Sequence, residues 1–436
     1  MMKKNRTIYF LLALVCLGLQ SCLFQEEDYF DDSSANRATA DVKRCSELLE
    51  AAPNGWVMEY YVGKDYSLGG ITLLCKFDGQ RVTMASQIAG ADETVSSLYS
   101  VKSEQATMLS FDTYNYLVHY FGQPQGSMAD DPNGTLGGDY EFVISDATAD
   151  RIELKGKKYG NRIVMKAFSA DQTWKQYLTR IKKVEDDAFF YEYDLRTDGL
   201  YTGQMLRSNY TFIVTYYDEV GKVHQKTVPF MFTTDGMRFH EPVTIDGQTM
   251  QNFVWKNEEI SFVCTDEGAT EVKLAGVYTA GYQSYDYYPG TYQMDFYRLN
   301  DATNQMEVAS QEIQLVKDED GKSYWLKGLE YDILVTYDKP RGGLSILPQF
   351  LKKVQGGYVY LAMWDLMNDY VLRSSAIGLI SYPTTDGIYL VDNGVWMGEI
   401  SGFIFGVYDS QDEEASFMGY TDAVAAIRLI KKTIEE

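Results

Sequence analysis

Short segments with the composition of β-strands follow one another through almost the whole chain after residue 55. They are rich in Val, Ile, Tyr, Phe and Trp and are separated by Gly, Pro, Asn or Asp, a pattern typical of antiparallel sheets. Asp78-Gly79 and Asp235-Gly236 are dipeptides of tight hairpins. In the first third of the chain we predict eight strands: 56–62, 71–77, 81–85, 98–101, 107–111, 140–145, 151–154 and 162–168. Eight short strands linked by turns predict an antiparallel barrel or sandwich.

The same pattern of short strand-like segments continues to the C-terminus. Further strands are predicted around Tyr193 and at 210–217, 228–232 and 237–239, and a third stretch runs from about Tyr288 to 427–430. We therefore expect an all-β-dominated fold of two or three successive antiparallel β-barrel or sandwich units with a few short helices. The predicted divisions are a signal peptide (1–21), a lipidated acidic tether (22–40) and three β-units (41–185, 186–282 and 283–436).

Two amphipathic helices and one short aromatic helix interrupt this pattern. Apolar residues recur at helical spacing in residues 41–52, with Asp41 or Thr39 as the cap, and Pro53-Asn54-Gly55 ends the helix. Residues 171–184 place Trp174, Tyr177, Leu178 and Ile181 on one face, and residues 113–121 predict the aromatic helix. Trp56 directly follows the glycine turn, so we expect its ring to be buried.

The N-terminus has the features of a bacterial lipoprotein signal. Three basic residues precede an apolar run of twelve residues, 8–19, which is too short for the roughly 20 residues of a membrane span. Leu19-Gln20-Ser21-Cys22 resembles a lipobox, in which Cys22 is the lipidation site; ordinary secretion is the alternative. The acidic segment 25–32 resembles the tag that exports lipoproteins to the outer face of the outer membrane, with a plain solvated tether as the alternative.

Charge and composition exclude several classes of function. The 436 residues carry a formal charge of -23, which disfavours nucleic-acid binding because that needs a basic surface. Three His and the absence of CxxC spacing indicate neither a zinc site nor a disulfide framework, and no cofactor or metal is expected. Cys45, Cys75 and Cys264 remain after lipidation and are expected to be core residues or to include one opportunistic pair.

No motif for catalysis is found. HExxH, G-x-S-x-G and G-x-x-x-x-G-K are absent, so we expect no enzymatic activity, although 62 acidic residues leave a glycosidase pair open. His119 could orient a ligand or bind a metal, but a half-buried His bonded to backbone is favoured. Asp130-Asp131-Pro132-Asn133-Gly134 with Asp139 could bind calcium, but a plain surface loop is favoured.

A tyrosine-rich segment is the candidate ligand-binding site. Residues 281–290 contain Tyr282, Tyr285, Asp286, Tyr287 and Tyr288, interrupted by small residues. Tyrosine faces stack on sugars or pack against peptides, and Asp286 could accept hydrogen bonds from either. We expect some of these rings to face solvent, and Tyr285 and Tyr287 to be replaceable without loss of stability. The alternative is that Tyr is simply a good strand residue.

Six short motifs carry a resemblance to a known family: Pro53-Asn54-Gly55-Trp56, Phe77-Asp78-Gly79, residues 109–115 leading to His119, Gly138-Asp139-Tyr140-Glu141-Phe142, Lys155-Gly156-Lys157-Lys158 and Asp392-Asn393-Gly394-Val395-Trp396. With them the mature chain resembles a Bacteroidetes lipoprotein family, domain of unknown function 4302. The resemblance implies an accessory to SusC/SusD-type importers and no established catalytic residues.

The expected function is therefore a non-enzymatic accessory in the capture or import of an oligosaccharide or peptide nutrient. The protein would be lipid-anchored in the outer membrane and face the cell exterior. Its expected partners are that membrane, a SusC/SusD-type transporter complex and the nutrient. A structural or adhesive surface protein is the alternative, and a glycosidase or peptidase is the third possibility.

Overall fold

The computed structural model describes residues 33–124 and 134–432, apart from residues 219, 301, 304 and 413. The predicted signal peptide, the lipobox with Cys22, the acidic segment 25–32 and the stretch 130–133 lie outside the described residues. Within the described ranges the chain forms 28 strands, three α-helices and one 3-10 helix, Lys64–Tyr66. The predicted all-β-dominated fold is confirmed. No helix in these ranges combines the length and the apolar character that a membrane span needs.

The first helix, α1, is Ser34–Ala51 and begins earlier than predicted. Its cap is Ser33, whose Oγ accepts the Asn36 N–H at 3.2 Å, so the predicted caps Asp41 and Thr39 are wrong. Asp41 lies inside the helix and accepts a hydrogen bond from the Thr107 hydroxyl at 2.5 Å. The cap was missed because the stretch before residue 41 continues the helix with only small and polar residues, and no large apolar residue reveals its period.

The turn after α1 requires glycine. Gly55 has φ 83°, and a Cβ there would lie 2.4 Å from the Cys75 carbonyl oxygen. The Gly55 N–H bonds to the Ala52 carbonyl at 3.0 Å, which closes the turn and directs the chain into the first strand.

The first eight strands close into an antiparallel barrel. They are β1 Trp56–Val62, β2 Gly69–Asp78, β3 Arg81–Ser86, β4 Val95–Ser103, β5 Thr107–Phe111, β6 Glu141–Ala147, β7 Arg151–Gly156 and β8 Arg162–Ala167. Each strand pairs with the next, and β1 pairs with β8, as in the register Met58↔Met165. All eight predicted strands are present, and the predicted aromatic helix is the single turn α2, Tyr116–His119.

The interior of this barrel is filled by side chains. Alternate residues of β1 point inward, so Trp56, Met58 and Tyr60 are buried, and Phe111 and Phe142 meet edge to face at 6.1 Å. The outward side of β2 and β3 is covered by helix α3, Trp174–Asp187, predicted at 171–184. Leu178 of this helix packs on Leu74 and Ala85, which explains why β2 is buried on both faces.

A second closed barrel follows. Its strands are β9 Glu192–Thr197, β10 Leu200–Ser208, β11 Thr211–Tyr217, β12 Val223–Phe232, β13 Gly236–Ile245, β14 Gln248–Lys256, β15 Ser261–Cys264 and β16 Val272–Val277. Strand β9 pairs with β10 on one edge and with β16 on the other, which closes the barrel.

The third sheet has twelve strands. They are β17 Gly290–Asn300, β18 Gln305–Lys317, β19 Ser323–Lys327, β20 Ile333–Asp338, β21 Gly343–Ile346, β22 Gln349–Val354, β23 Gly357–Asp365, β24 Tyr370–Leu372, β25 Leu379–Thr384, β26 Gly387–Asp392, β27 Gly402–Tyr408 and β28 Phe417–Lys431.

Pairing of β28 with β17 closes eight of these strands into a ring, β17 to β21 with β25, β26 and β28. The long strand β28 continues beyond the ring and there pairs with β27, which adds β23, β22 and β24 as an extension. Ala426, with φ 50°, separates the two pairing segments of β28.

The chain divides into two compact units. Of the described residues, one unit comprises those up to Lys183 with Asn209–Thr211 and Pro229–Glu241, and the other comprises Val184–Ser208, Phe212–Val228 and those from Pro242 onward. Residues of the second barrel therefore occur in both units, and the predicted divisions at 185/186 and 282/283 stay predictions. The three described cysteines, Cys45, Cys75 and Cys264, are buried free thiols, as expected of core residues.

Candidate functional site

The predicted tyrosine segment, residues 281–290, is a turn-containing connection that leads from β16 into β17 rather than a strand. Tyr288 is buried, Tyr282 and Tyr285 are half-buried, and Asp286 and Tyr287 are exposed. The five predicted residues are close in sequence, but the structure gives their side chains different environments.

Tyr285 and Tyr288 are anchored in the third sheet. Their hydroxyls donate to the carbonyls of Ser323 and Gly342, each at 2.8 Å. The Tyr285 ring stacks on Tyr324 at 4.7 Å, and burial raises the pKa of Tyr285. These contacts hold both rings against the core of the sheet.

Tyr282 belongs to an aromatic cluster within the second compact unit. Its ring lies 4.5 Å from Tyr278 and is stacked at 6.0 Å on Phe189. The Lys339 ammonium lies 4.9 Å from the centre of the Phe189 ring and also pairs with Asp186 at 2.9 Å. Packing therefore accounts for Tyr282 as well.

Asp286 and Tyr287 form the exposed part of the predicted site. Asp286 makes an ion pair with Lys317, and the Lys431 ammonium lies 4.9 Å from the centre of the Tyr287 ring. Ligand contact at this segment stays a prediction, and it rests on these two residues rather than on Tyr285 or Tyr288.

The expectation that Tyr285 and Tyr287 are equally replaceable is corrected by these contacts. Tyr285→Ala should lower the free energy of unfolding by about 3 kcal/mol, because it removes a packed aromatic ring. Tyr287→Ala, an exposed change, should stay within about 0.5 kcal/mol. Urea denaturation of the two single variants measures the difference, and equal effects would contradict it.

A pocket of about 570 Å³ lies in the extension of the third sheet. Strands β22 and β24 pair with successive parts of β23, as in Gln349↔Leu361 and Leu372↔Met363. The pocket opens where the two strands approach each other, and it is lined by Pro348, Gln349, Phe350, Tyr360, Arg373, Ser374, Ser375 and Gln411. Its volume is within the usual range for small-ligand sites.

One side of the pocket is aromatic. Phe350 is exposed and meets Tyr360 edge to face at 5.4 Å. The Arg373 guanidinium lies 4.7 Å from the centre of the Tyr360 ring and 4.3 Å from that of Tyr408, and it donates to the Asp412 carbonyl. Cation–π contact and this hydrogen bond hold the rings and the guanidinium in one arrangement.

The other side of the pocket is polar. The Gln349 amide accepts the Leu334 N–H at 2.8 Å and donates to the Leu334 carbonyl at 2.9 Å. The side chain thus makes the two hydrogen bonds that the backbone of a neighbouring strand would make with Leu334. The hydroxyls of Ser374 and Ser375 and the amide of Gln411 contribute hydrogen-bonding groups at the rim. An aromatic face beside hydroxyls and an amide suits a neutral polyhydroxylated ligand.

Sequence reasoning missed this pocket because four separate segments build it. Phe350 and Tyr360 come from neighbouring strands, Arg373 directly follows β24, and Gln411 comes from a loop far away in sequence. The sequence feature closest to a signal for this pocket was the alternation of Tyr358 and Tyr360 along β23. Such alternation predicts a strand but does not predict a pocket.

His119 bonds to backbone, as favoured from the sequence. Its Nδ1 lies 3.0 Å from the Asn115 carbonyl oxygen, and its ring stacks on Tyr140 at 4.7 Å. Asp139, in contrast, is buried rather than part of a surface loop. It accepts the N–H groups of Lys158 at 2.7 Å and Tyr159 at 3.1 Å. In the described ranges no group of three or more His, Cys, Asp and Glu could hold a metal ion.

Solved structures show weak likeness to this chain. A protein with unknown function from the DUF3598 family of Nostoc punctiforme PCC 73102 is 8% identical, with 56% of this chain and 98% of that chain covered and a TM-score of 0.15. Intact Ap-TbpB with its N and C lobes is 11% identical, with 84% and 67% covered and a TM-score of 0.11.

A mutant of transferrin binding protein B from Haemophilus parasuis Hp5, a vaccine antigen, is 13% identical, with 84% and 67% covered and a TM-score of 0.10. These scores are too low to assign a fold or a function to this chain. No curated protein matches it at a significant level.

Two families match the sequence directly. The family named DUF4987, described as Domain of unknown function, matches residues 265–404, which include most of the third sheet. The family described as Domain of unknown function (DUF4302) matches residues 26–257, which are more than half of the 436 residues and include the first barrel and strands β9 to β14 of the second. The chain belongs to the family Domain of unknown function (DUF4302).

Proposed function

We propose that the protein is a lipid-anchored surface protein of the outer membrane that captures an oligosaccharide for import without cleaving it. The observation that carries this proposal is the pocket at Phe350, Tyr360 and Gln411, where an exposed aromatic face adjoins hydroxyl and amide groups. The apolar face of a sugar ring stacks on such a surface while its hydroxyls bond to the polar rim.

The residues of the pocket favour binding over chemistry. Hydroxyl, amide and aromatic groups hold a polyol but do not exchange protons with it at neutral pH. Glycoside cleavage would need two carboxylates about 5–10 Å apart at the bound sugar. The described lining consists of aromatic, hydroxyl and amide groups together with Pro348 and the Arg373 guanidinium, which also keeps its proton at neutral pH, and this supports a capture role.

The location is proposed from the sequence. The lipobox at Cys22 provides a membrane anchor, and a multiply acylated cysteine anchors far more firmly than one fatty chain, at about 0.8 kcal/mol per buried methylene. The acidic segment 25–32 provides the export signal. An accessory role beside a SusC/SusD-type importer is proposed from the family resemblance, and it explains why a capture protein would be held at the surface.

Phe350→Ala should weaken oligosaccharide binding at least tenfold, which corresponds to about 1.4 kcal/mol, because the stacking surface is lost. The matched control is Tyr297→Ala, since both rings are 45% exposed and Tyr297 lies on β17 outside the pocket. Screening on immobilised glycans, followed by calorimetry with the best ligand, measures the difference.

Both variants should keep the melting temperature of the parent, since both sites are exposed. Equal affinity of Phe350→Ala and the parent for the oligosaccharide would show that this pocket is not the binding site. Release of shorter sugars from the bound ligand would contradict capture without cleavage.

Cys22→Ala should move the protein out of the outer-membrane fraction, because the thiol is the point of acylation. Cys16→Ala is the matched control, since Cys16 lies in the apolar run of the signal and offers no lipobox cysteine. Density-gradient fractionation and labelling with a fatty-acid analogue measure both variants. If Cys22→Ala partitions into the membrane and is labelled to the same extent as the parent, the anchor is at another residue.

A further inference from the structure

Two loops of the third sheet expose large apolar side chains to an unusual degree. Met367 lies in the turn between β23 and β24 and is 82% exposed, and Met397 lies in the loop after β26 and is 95% exposed. Tyr370 and Val395, beside them in sequence, are each more than half exposed. We call Met367, Tyr370, Val395 and Met397 the methionine face.

A buried carboxylate joins the two loops. Asp365 accepts the backbone N–H of Asn368 at 3.1 Å and its side-chain amide at 2.9 Å, which fixes the turn of Met367. The same carboxylate accepts the Trp396 indole N–H at 3.0 Å, which fixes the loop of Met397. The Trp396 ring meets Tyr370 edge to face at 5.7 Å. The loops are therefore held to each other through Asp365.

The loop of Met397 is also closed at both ends. Asp392 accepts the N–H groups of Gly394 at 2.7 Å and Ile400 at 2.8 Å. A Cβ at Gly398 would lie 2.2 Å from the Asp365 carboxylate, so the close approach of the loop to Asp365 requires glycine. The exposure of Met397 is thus a property of a loop fixed by hydrogen bonds at three places.

Such an arrangement gives the folded chain little stability, because a side chain that stays in water contributes no burial. It does reduce the entropic cost of binding, since the apolar groups are already placed. Exposed apolar groups held together in this way mark interaction surfaces, and Met adapts its shape to a partner.

The charges of the loops indicate the kind of partner. Asp365 and Asp392 are committed to hydrogen bonds inside the loops, whereas Asp369 and Glu399 are exposed. Neither segment, 365–372 nor 392–400, contains Lys or Arg, and the guanidinium of Arg373, the next residue, lies over the rings of Tyr360 and Tyr408. Carboxylates beside the apolar tips complement a basic rim, and they oppose insertion among anionic lipid headgroups.

We infer that the methionine face docks into an apolar cleft of another protein, rimmed by Lys and Arg. This surface is separate from the sugar pocket in its residues and goes beyond the proposed capture function.

The test replaces Met397 with the photoreactive amino acid p-benzoylphenylalanine in the full-length, lipidated protein in its native cells. Ultraviolet light should yield one dominant protein adduct, and peptide mass spectrometry should map it to an apolar surface flanked by Lys and Arg. The matched control places the same amino acid at Met418, an exposed methionine of β28, where this adduct should not form.

Two variants separate docking from folding. Asp369→Asn combined with Glu399→Lys should lower the adduct yield at position 397 at least tenfold with an unchanged melting temperature, because both residues are exposed and Asn tolerates the φ of 55° at position 369. Gly398→Ala should also lower the adduct yield at position 397, because the added methyl group displaces Trp396 from Asp365. This variant leaves the charge of the loops unchanged.

An adduct with lipid, with a second copy of this chain or at an acidic surface would overturn the inference. So would the absence of an adduct, or equal yield in the double variant. None of these outcomes bears on the comparison of oligosaccharide binding by Phe350→Ala and by the parent. The two proposals are therefore tested independently of each other.

Discussion

Trp56→Ala is expected to lower the free energy of unfolding by about 3–5 kcal/mol, the usual loss for a buried Trp in a core. Trp56 is fully buried at the start of β1, and its indole N–H donates to the Leu49 carbonyl of α1 at 2.9 Å. Truncation therefore removes both a large part of the barrel interior and the bond that ties α1 to the barrel. Urea denaturation followed by near-ultraviolet circular dichroism measures the loss.

Two further variants divide this loss into its parts. Trp56→Phe keeps most of the apolar volume but leaves the buried Leu49 carbonyl without its donor, which should cost about 1–3 kcal/mol. Tyr114→Ala, an exposed aromatic change in the same compact unit, should stay within about 0.5 kcal/mol. An unchanged midpoint for Trp56→Ala would show that α1 and the start of β1 are not packed as described.

The second large effect is expected at an ion triad in the first compact unit, whose central carboxylate, Glu59, is nearly buried. Glu59 of β1 bonds to Lys166 at 2.7 Å and to Arg238 at 2.6 Å. Arg238→Gln should cost about 3 kcal/mol, because breaking such a pair leaves a carboxylate away from water. The loss falls at the lower end of the usual range because Lys166 remains.

Arg162→Gln is the matched control for this change. It removes an arginine from the exposed pair with Glu153, whose atoms lie 3.3 Å apart, and exposed pairs contribute at most about 1 kcal/mol. Urea midpoints at neutral pH compare the two variants. Equal losses would mean that water reaches Glu59 as readily as it reaches Glu153.

The triad also predicts how stability depends on pH. Burial alone would raise the pKa of Glu59, but the charge of Arg238 and the hydrogen bond and charge of Lys166 lower it below its ordinary value. A carboxylate whose pKa is lower in the folded state stabilises the fold above its unfolded pKa, about 4.3, and this contribution disappears as the pH falls through the folded value.

Acid unfolding measures this contribution. Between pH 7 and pH 3 the parent should lose more stability than Glu59→Gln, which has no proton to take up at this position. Parallel curves for the two proteins would show that the pKa of Glu59 does not change on folding.

The local structure of the barrels was predictable because it depends on neighbours in sequence. Strands β1 and β5 have the predicted bounds, Trp56–Val62 and Thr107–Phe111, since apolar alternation and flanking turn residues are both local signals. Burial of Trp56 followed from its place after the Gly55 turn. The start of α1 was missed because the deciding contact, Ser33 to Asn36, lies in a stretch of small and polar residues without a period of large apolar residues.

The candidate site was less predictable, because neighbours in sequence did not decide it. The tyrosines of 281–290 look alike in sequence, yet the Tyr285 hydroxyl reaches a carbonyl on β19, whereas Tyr287 is 39% exposed. The sugar pocket joins residues from β22, β23, the end of β24 and the distant loop of Gln411, and the methionine face depends on one carboxylate between two turns.

What the sequence by itself determined is the strand content, the turns, the two amphipathic helices and the signals expected to direct Cys22 to the membrane. These features arise from the order of apolar, polar and turn residues over short distances. Only the tertiary structure decided that the first two sets of strands close as barrels, that the third closes through β28 and then extends, and that Glu59 meets Arg238. Strand closure and burial depend on which distant residues come together, and alternation along one strand carries no information about its partner.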